Sequence, residues 1–75
     1  MQKKKFSVPG MMCATSAMTA TAAVTAVPGV VSADDDTTSQ TLIIVFDDEK
    51  ASVEKIKEAL KRENLPVSGE PADVP

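Results

Sequence analysis

The sequence predicts an α+β fold with elements in the order β-α-β-β-α-β. Three observations support it: an alternating segment before Pro9-Gly10, two segments with apolar residues at helical spacing, and two β-branched segments between these helices. With right-handed crossovers, this order gives an open-faced sandwich, a four-stranded antiparallel sheet with both helices on one face. The 75 residues have room for one domain, which we place at residues 1–70, followed by a proline-containing tail or linker at residues 71–75.

The first part of the chain predicts a strand and a helix. Residues 4–8 alternate between apolar and polar side chains, which is the period of a half-buried strand, and Pro9-Gly10 ends it. In residues 14–26, small apolar side chains recur on one face of a helix, and Pro28-Gly29 closes that helix. The apolar face consists of Ala17, Ala20, Val24 and Val27.

The rest of the chain predicts three more strands and a second helix. Residues 30–36 and 41–46 read as strands joined by a turn. Ser52 has a side chain suited to a helix N-cap, and apolar residues at helical spacing extend from there to Glu63. After the break at Leu65-Pro66, a short edge strand is predicted to begin at Val67-Ser68.

Composition excludes several classes of function. A net charge of -3 argues against nucleic-acid binding, and no segment approaches the ~20 apolar residues that span a bilayer. The chain has no histidine, no acid pair at a defined spacing and no phosphate-binding loop, so we do not expect an enzyme. One cysteine excludes an intramolecular disulfide, which predicts a reducing compartment and a cytoplasmic location.

Cys13 lies just before the first predicted helix. Backbone N–H groups and the dipole at a helix N-terminus favour a thiolate and lower its pKa, which makes Cys13 a candidate metal ligand. A buried, inert cysteine is the alternative interpretation, and a second soft ligand three residues on would decide between them. That position holds Ser16. The predicted topology also brings the 64–66 loop to the same end, so we expect Leu65 near Cys13.

Four motifs resemble the heavy-metal-associated domain family: residues 10–16, Pro28-Gly29-Val30, Phe46-Asp47 and Leu65-Pro66. Members of that family are copper chaperones, N-terminal modules of metal-pumping ATPases and mercury-binding proteins. The resemblance covers about residues 3–70 and implies a ferredoxin-like fold. It also implies binding or transfer of Cu(I) or Hg(II), with a metal-transporting ATPase or another metal-handling protein as partner.

The family motif, Gly-Met-x-Cys-x-x-Cys, is only partly present. The resemblance places the first metal thiolate on Cys13, the loop-supporting methionine on Met11 and the second thiolate on Ser16. A neutral hydroxyl is a poor ligand for a soft ion, so the site is degenerate and binding by a single chain should be weak. Met12 and Ser16 are weak candidates for further ligands, and Leu65 occupies the position of a residue that shields the loop. Two chains can also pair their Cys13 residues across a metal or a disulfide.

Two further departures concern the core. The apolar residues of the first helix are a size smaller than is usual in the family, so we expect this helix to lie close to the sheet or the domain to be marginally stable. Asp35 stands where the family has an inward apolar residue. We expect its strand to fray or twist at the sheet edge so that the carboxylate reaches water.

An alternative function is a protein-interaction module that has kept the fold and lost metal binding. Ile43 and Val45 are predicted to face away from the helices, and an apolar pair on an open sheet face can mark a partner surface, including that of a homodimer. Ordinary β-propensity also accounts for this pair.

Overall fold

The computed structural model describes residues 1–74 and contains the six predicted elements in the predicted order. They are β1 (Gln2–Ser7), α1 (Ala14–Thr25), β2 (Val30–Asp36), β3 (Thr41–Phe46), α2 (Val53–Arg62) and β4 (Ala72–Asp73). The strands form one antiparallel sheet in the order β2-β3-β1-β4. The predicted fold class is confirmed. Pro75, the end of the predicted tail, lies outside the described residues.

A single hydrophobic core lies between the sheet and the two helices. Leu42, Ile44 and Phe46 of β3 are buried in it, whereas the alternate residues Ile43 and Val45 are half-buried on the opposite face. Because side chains of a strand alternate between its faces, this pattern places both helices on one side of the sheet. The helices contribute the buried residues Ala17, Ala20, Val24, Ile56 and Leu60.

Small side chains on α1 meet large ones from the sheet. Ala17 and Ala20 are only 2% and 0% exposed, and they share one core with Phe6 and Phe46. Protein interiors reach crystal-like density only when small and large residues interdigitate. The small residues of α1 and the aromatic residues of β1 and β3 therefore fill one core together. Within residues 1–74, no helix has the length and apolar character needed to cross a membrane.

Asp35 reaches water, as expected, although β2 does not fray. Its register partner is Leu42, so Asp35 lies on the core side of the sheet, yet it is exposed. β2 is an edge strand, and a register shift between Val30 and Ser32 marks a bulge near its start. A bulge increases the local twist of a strand, and an edge strand has no neighbour to cover its outer side.

The prediction of the last strand at residues 67–68 was wrong. Instead, β4 lies within the segment predicted to be a tail, and it pairs with Lys4 and Lys5 of β1. The predicted segment does make one contact with β1, because the N–H of Ser68 donates to the carbonyl oxygen of Ser7 at 2.9 Å.

Backbone chemistry explains why the strand does not begin at Ser68. Gly69 has a positive φ of 71°, which bends the chain away from extended geometry. Pro71 has no N–H to donate to a ladder. Pairing resumes only beyond Pro71, where the N–H of Val74 donates to the carbonyl oxygen of Lys3 at 3.0 Å.

Gly29 lies between α1 and β2 and packs against residues 50–51, just before α2, and we expect it to tolerate no side chain. It has a φ of 97°, and a Cβ atom built there would lie 2.7 Å from Cβ of Lys50 and 2.9 Å from the backbone nitrogen of Ala51. Gly29→Ala should therefore lower the free energy of unfolding by about 2–3 kcal/mol, because backbone strain and steric overlap add. Urea denaturation measures this change.

Gly69→Ala is the matched control. Gly69 also has a positive φ, but a Cβ atom there meets nothing within 4 Å. This variant should show backbone strain alone, about 1 kcal/mol. Equal losses in the two variants would contradict the importance of the contact with Lys50 and Ala51.

Candidate metal site

The loop that carries Cys13 is held by backbone hydrogen bonds. The N–H of Val8 donates to the carbonyl oxygen of Gln40 at 2.8 Å, which ties the end of β1 to the hairpin between β2 and β3. Two turns follow, in which Met11 donates to Val8 and Met12 donates to Gly10, each at 3.0 Å. These bonds give the loop a defined path from β1 to the first residue of α1.

Met11 and Leu65 support this loop from inside. Met11 is fully buried and Leu65 is 7% exposed, and both belong to the hydrophobic core. A Cβ atom on Gly10 would lie 3.1 Å from Cδ2 of Leu65, so the 64–66 segment packs directly under the loop, three residues before Cys13. A side chain at position 10 would therefore displace Leu65.

Cys13 is the N-cap residue of α1 and is exposed. Its φ of -146° and ψ of 169° are extended, while the next residue begins the helix. Its exposure shows that the alternative of a buried, inert thiol was wrong. An exposed thiol at a helix N-terminus is accessible to a metal ion or to a reactive partner.

Ser16 makes three contacts with Cys13 and closes the first turn of α1. Its Oγ accepts the N–H of Cys13 at 3.2 Å, lies 3.1 Å from the carbonyl oxygen of Cys13 and lies 3.3 Å from Sγ. A side chain at the third helical position that accepts the N-cap N–H is one half of a capping box. Ser16 therefore stabilises the helix terminus, a role that the sequence analysis did not predict. The sequence carries no usual signal for it, because a capping box normally has Ser or Thr at the N-cap and Glu or Gln at the third helical position, where this chain has Cys13 and Ser16.

The Ser16 hydroxyl also lowers the pKa of Cys13. Its hydrogen bond to Sγ is the largest cause, followed by the backbone N–H groups of Ser16 and Thr15, whereas slight desolvation acts in the opposite direction. When the thiol loses its proton, Ser16 must donate its single hydroxyl hydrogen to the sulfur. The carbonyl oxygen of Cys13 then keeps a partner, because the N–H of Ala17 donates to it at 3.0 Å. The thiolate is thus stabilised without leaving a backbone group unpaired.

The chain segment around Cys13 carries no charged residue and exposes two methionines. Met12 is 69% exposed and Met18 is 73% exposed, so neither is a core filler. The sequence has no Asp, Glu, Lys or Arg between Phe6 and Ala33. Within residues 1–74, no group of three or more His, Cys, Asp or Glu residues is placed to hold a metal ion. The site therefore offers one thiolate, a neighbouring thioether on Met12 and a hydroxyl.

The chain is similar to known proteins both in sequence and in structure. The family model of the heavy-metal-associated domain matches residues 5–64. The periplasmic component of a mercuric transport protein from an Alcaligenes species is 36% identical over 67 residues, which cover 89% of this chain and 74% of that protein.

Solved structures with the same fold include mercury-related and copper-related proteins. Oxidized MerP from Ralstonia metallidurans CH34 superposes with a TM-score of 0.86 at 34% identity, and the match covers 89% of this chain and 93% of that chain. A copper-binding domain from HMA7, a P-type ATPase, superposes with a TM-score of 0.86 at 29% identity, covering 91% of this chain and 92% of that chain.

Removal of the Ser16 hydroxyl should raise the pKa of Cys13. In Ser16→Ala, the largest cause of the lowered pKa is lost, so the thiolate should form at higher pH and the thiol should react more slowly with iodoacetamide at neutral pH. The pH dependence of the thiolate absorbance near 240 nm measures the midpoint.

Thr15→Ala is the control for this measurement. Only the backbone N–H of Thr15 acts on the sulfur, and that group remains in the variant. Its titration midpoint should match that of the unmodified chain. A Ser16→Ala midpoint that does not move would refute the role of the hydroxyl.

Proposed function

The chain belongs to the heavy-metal-associated domain family, and on this basis we propose that it binds and transfers a soft heavy-metal ion, Cu(I) or Hg(II), through the Cys13 thiolate. One observation carries the proposal: an exposed thiol with a lowered pKa lies at the helix N-terminus where the family motif has its first cysteine. Thiolates are the preferred protein ligands of such soft ions. Binding replaces the thiol proton by the metal, so a lower thiol pKa favours binding at neutral pH.

The site holds half of the ligands that a soft ion needs. Ser16 takes the place of the second cysteine, and its oxygen is already engaged by the N–H and the sulfur of Cys13. A near-linear complex therefore needs a second thiolate from outside the chain. We propose that a second copy or a partner supplies it, which allows the ion to pass between molecules by exchange of one thiolate at a time.

The surface around Cys13 favours apolar contact with such a partner. Met12 and Met18 are exposed, and α1 together with the loop before it carries no charged residue. These segments contribute no charge to steer a partner, so we expect substitutions in them that keep the side chains neutral to leave the salt dependence of association unchanged. A metal-transporting ATPase or another metal-handling protein fits this proposal, since one similar structure is a copper-binding domain of a P-type ATPase.

We propose a role in metal handling rather than catalysis. The similar proteins carry names of metal transport or metal binding. The chain has no histidine to act as a general base, and Cys13 has no second cysteine to resolve a mixed disulfide.

We also propose a cytoplasmic location, because a free, exposed thiol stays reduced there. The similar protein from Alcaligenes is by name a periplasmic component, so cell fractionation is the direct test. Recovery of the chain with periplasmic marker proteins would contradict the cytoplasmic proposal without affecting the metal site.

The stoichiometry of Hg(II) binding should reveal the missing ligand. Titrated without added thiols, the unmodified chain should take up about one ion per two chains, because each chain supplies one thiolate. Ser16→Cys should bind one ion per chain with an affinity about 10²–10⁴-fold higher, because its second ligand is held within the same molecule. Thiolate-to-metal absorbance gives the stoichiometry, and native mass spectrometry identifies the two-chain complex.

Two variants serve as controls for the titration. Cys13→Ser should bind no Hg(II), and the double variant Cys13→Ser with Ser16→Cys keeps the thiol count but moves the sulfur into the helix. An unchanged affinity in Ser16→Cys would contradict a scaffold suited to two thiolates. That result would favour the alternative function, an interaction module without metal.

A further inference from the structure

The outer face of the sheet, which points away from the helices, carries an apolar pair between two columns of opposite charge. In the register of the sheet, Ile43 on β3 lies between Lys5 on β1 and Asp34 on β2. Directly opposed residues of antiparallel strands project from the same face. The next row along the strands consists of Lys3, Val45 and Ser32.

The charged columns are exposed and available to a partner. Lys5 and Asp34 are both exposed, and Ile43 between them is half-buried. The salt bridges found within residues 1–74 use other groups: the N-terminus with Asp48, Lys4 with Asp73, Lys57 with Glu70, and Arg62 with Glu58. The outer face thus has a positive side on β1, an apolar centre on β3 and a negative side on β2.

We propose that two copies of this chain associate through this face, around a two-fold axis that runs parallel to β3. Rotation about that axis places β1 of each copy over β2 of the other, so that Lys5 of one copy faces Asp34 of the second in two equivalent positions. The same rotation stacks the apolar pair on its own symmetry mate. Aligned packing of this kind is a usual arrangement for two sheets, which lie about 10 Å apart.

Charge selects this axis over the other two-fold arrangement. An axis in the plane between the sheets but perpendicular to the strands would place β1 over β1 and β2 over β2. Lysines would then face lysines, and aspartates would face aspartates. Like charges across an interface oppose association, so the parallel axis is the favoured one.

The dimer should be weak and sensitive to salt. A standard interface buries about 800 Å² per partner, and the apolar part of this face consists of only Ile43 and Val45 on each copy, so we expect a dissociation constant of about 10⁻⁴–10⁻³ M. Exposed ion pairs are screened by salt, so 0.5 M NaCl should weaken the dimer several-fold. Sedimentation velocity from 20 µM to 2 mM, with a thiol reductant and a metal chelator present, measures it.

Charge reversal provides the decisive test. Lys5→Glu and Asp34→Lys should each abolish association, because each places like charges opposite one another twice. The double variant Lys5→Glu with Asp34→Lys should dimerise again with itself but not with the unmodified chain. A double variant that stays monomeric would overturn the proposal. Pairing of the double variant with the unmodified chain would overturn it as well, since only the perpendicular axis allows that.

Two further variants separate the apolar contact and the thiol from the charge effect. Ile43→Thr keeps a β-branched side chain and should weaken the dimer at least fivefold while its circular dichroism stays unchanged. Cys13→Ser should leave association unaffected. Loss of association in Cys13→Ser would show that the dimer forms through the thiol, which overturns the sheet-face proposal and leaves the proposed metal function untouched.

Discussion

The packing of the small face of α1 against the large side chains of the sheet is the constraint on which the rest of this structure depends. Ala17 and Ala20 have short side chains, and the core that they share with Phe6 and Phe46 is filled largely by those two aromatic residues. Because this core holds α1 on the sheet, it also holds the N-terminus of α1. The loop with Cys13 is then supported from inside by Met11 and Leu65.

Ser16 makes the hydrogen bonding at the start of α1 different from that of a site with two thiolates. Its hydroxyl caps the backbone of Cys13 and stabilises the thiolate, so the helix terminus and the sulfur are both satisfied without a metal ion. A second cysteine would make a better soft ligand but a weaker cap, because sulfur is a weaker hydrogen-bond acceptor than oxygen. The same residue therefore forms part of the first turn of α1 and stands where the proposed metal site would need a second thiolate.

Charge divides the molecule into two surfaces with different chemistry. The loop, α1 and the turn after it are uncharged, whereas all acidic and basic residues lie before Phe6 or after Ala33. The outer sheet face brings some of these charges together in opposed columns beside Ile43. The proposed metal exchange at one end and the proposed association through the sheet therefore involve different surfaces.

The sequence alone was enough for most of the fold, whereas the choice of Cys13 as the reactive residue stays a prediction. Local patterns predicted the element order and nearly all of the core. These patterns are the alternation along β3, the helical spacing of apolar residues in α1 and in α2, and the break at Pro28-Gly29. The last strand was not predicted at its observed position, because two residues are too few to show the alternation of apolar and polar side chains that indicates a strand. Its place at Ala72–Asp73 follows from pairing with β1 after Gly69 and Pro71 have redirected the chain.

Cys13 and Ser16 were identifiable as site residues from the motif, but their interaction was not. Whether the thiol is buried or exposed, and whether Ser16 acts on a metal or on the thiol itself, depends on distances of about 3 Å that only the folded helix start establishes. The exposure of Asp35 likewise required the edge position and bulge of β2. Sequence patterns record which side chains prefer burial, whereas tertiary packing decides which polar groups come within hydrogen-bonding distance of one another.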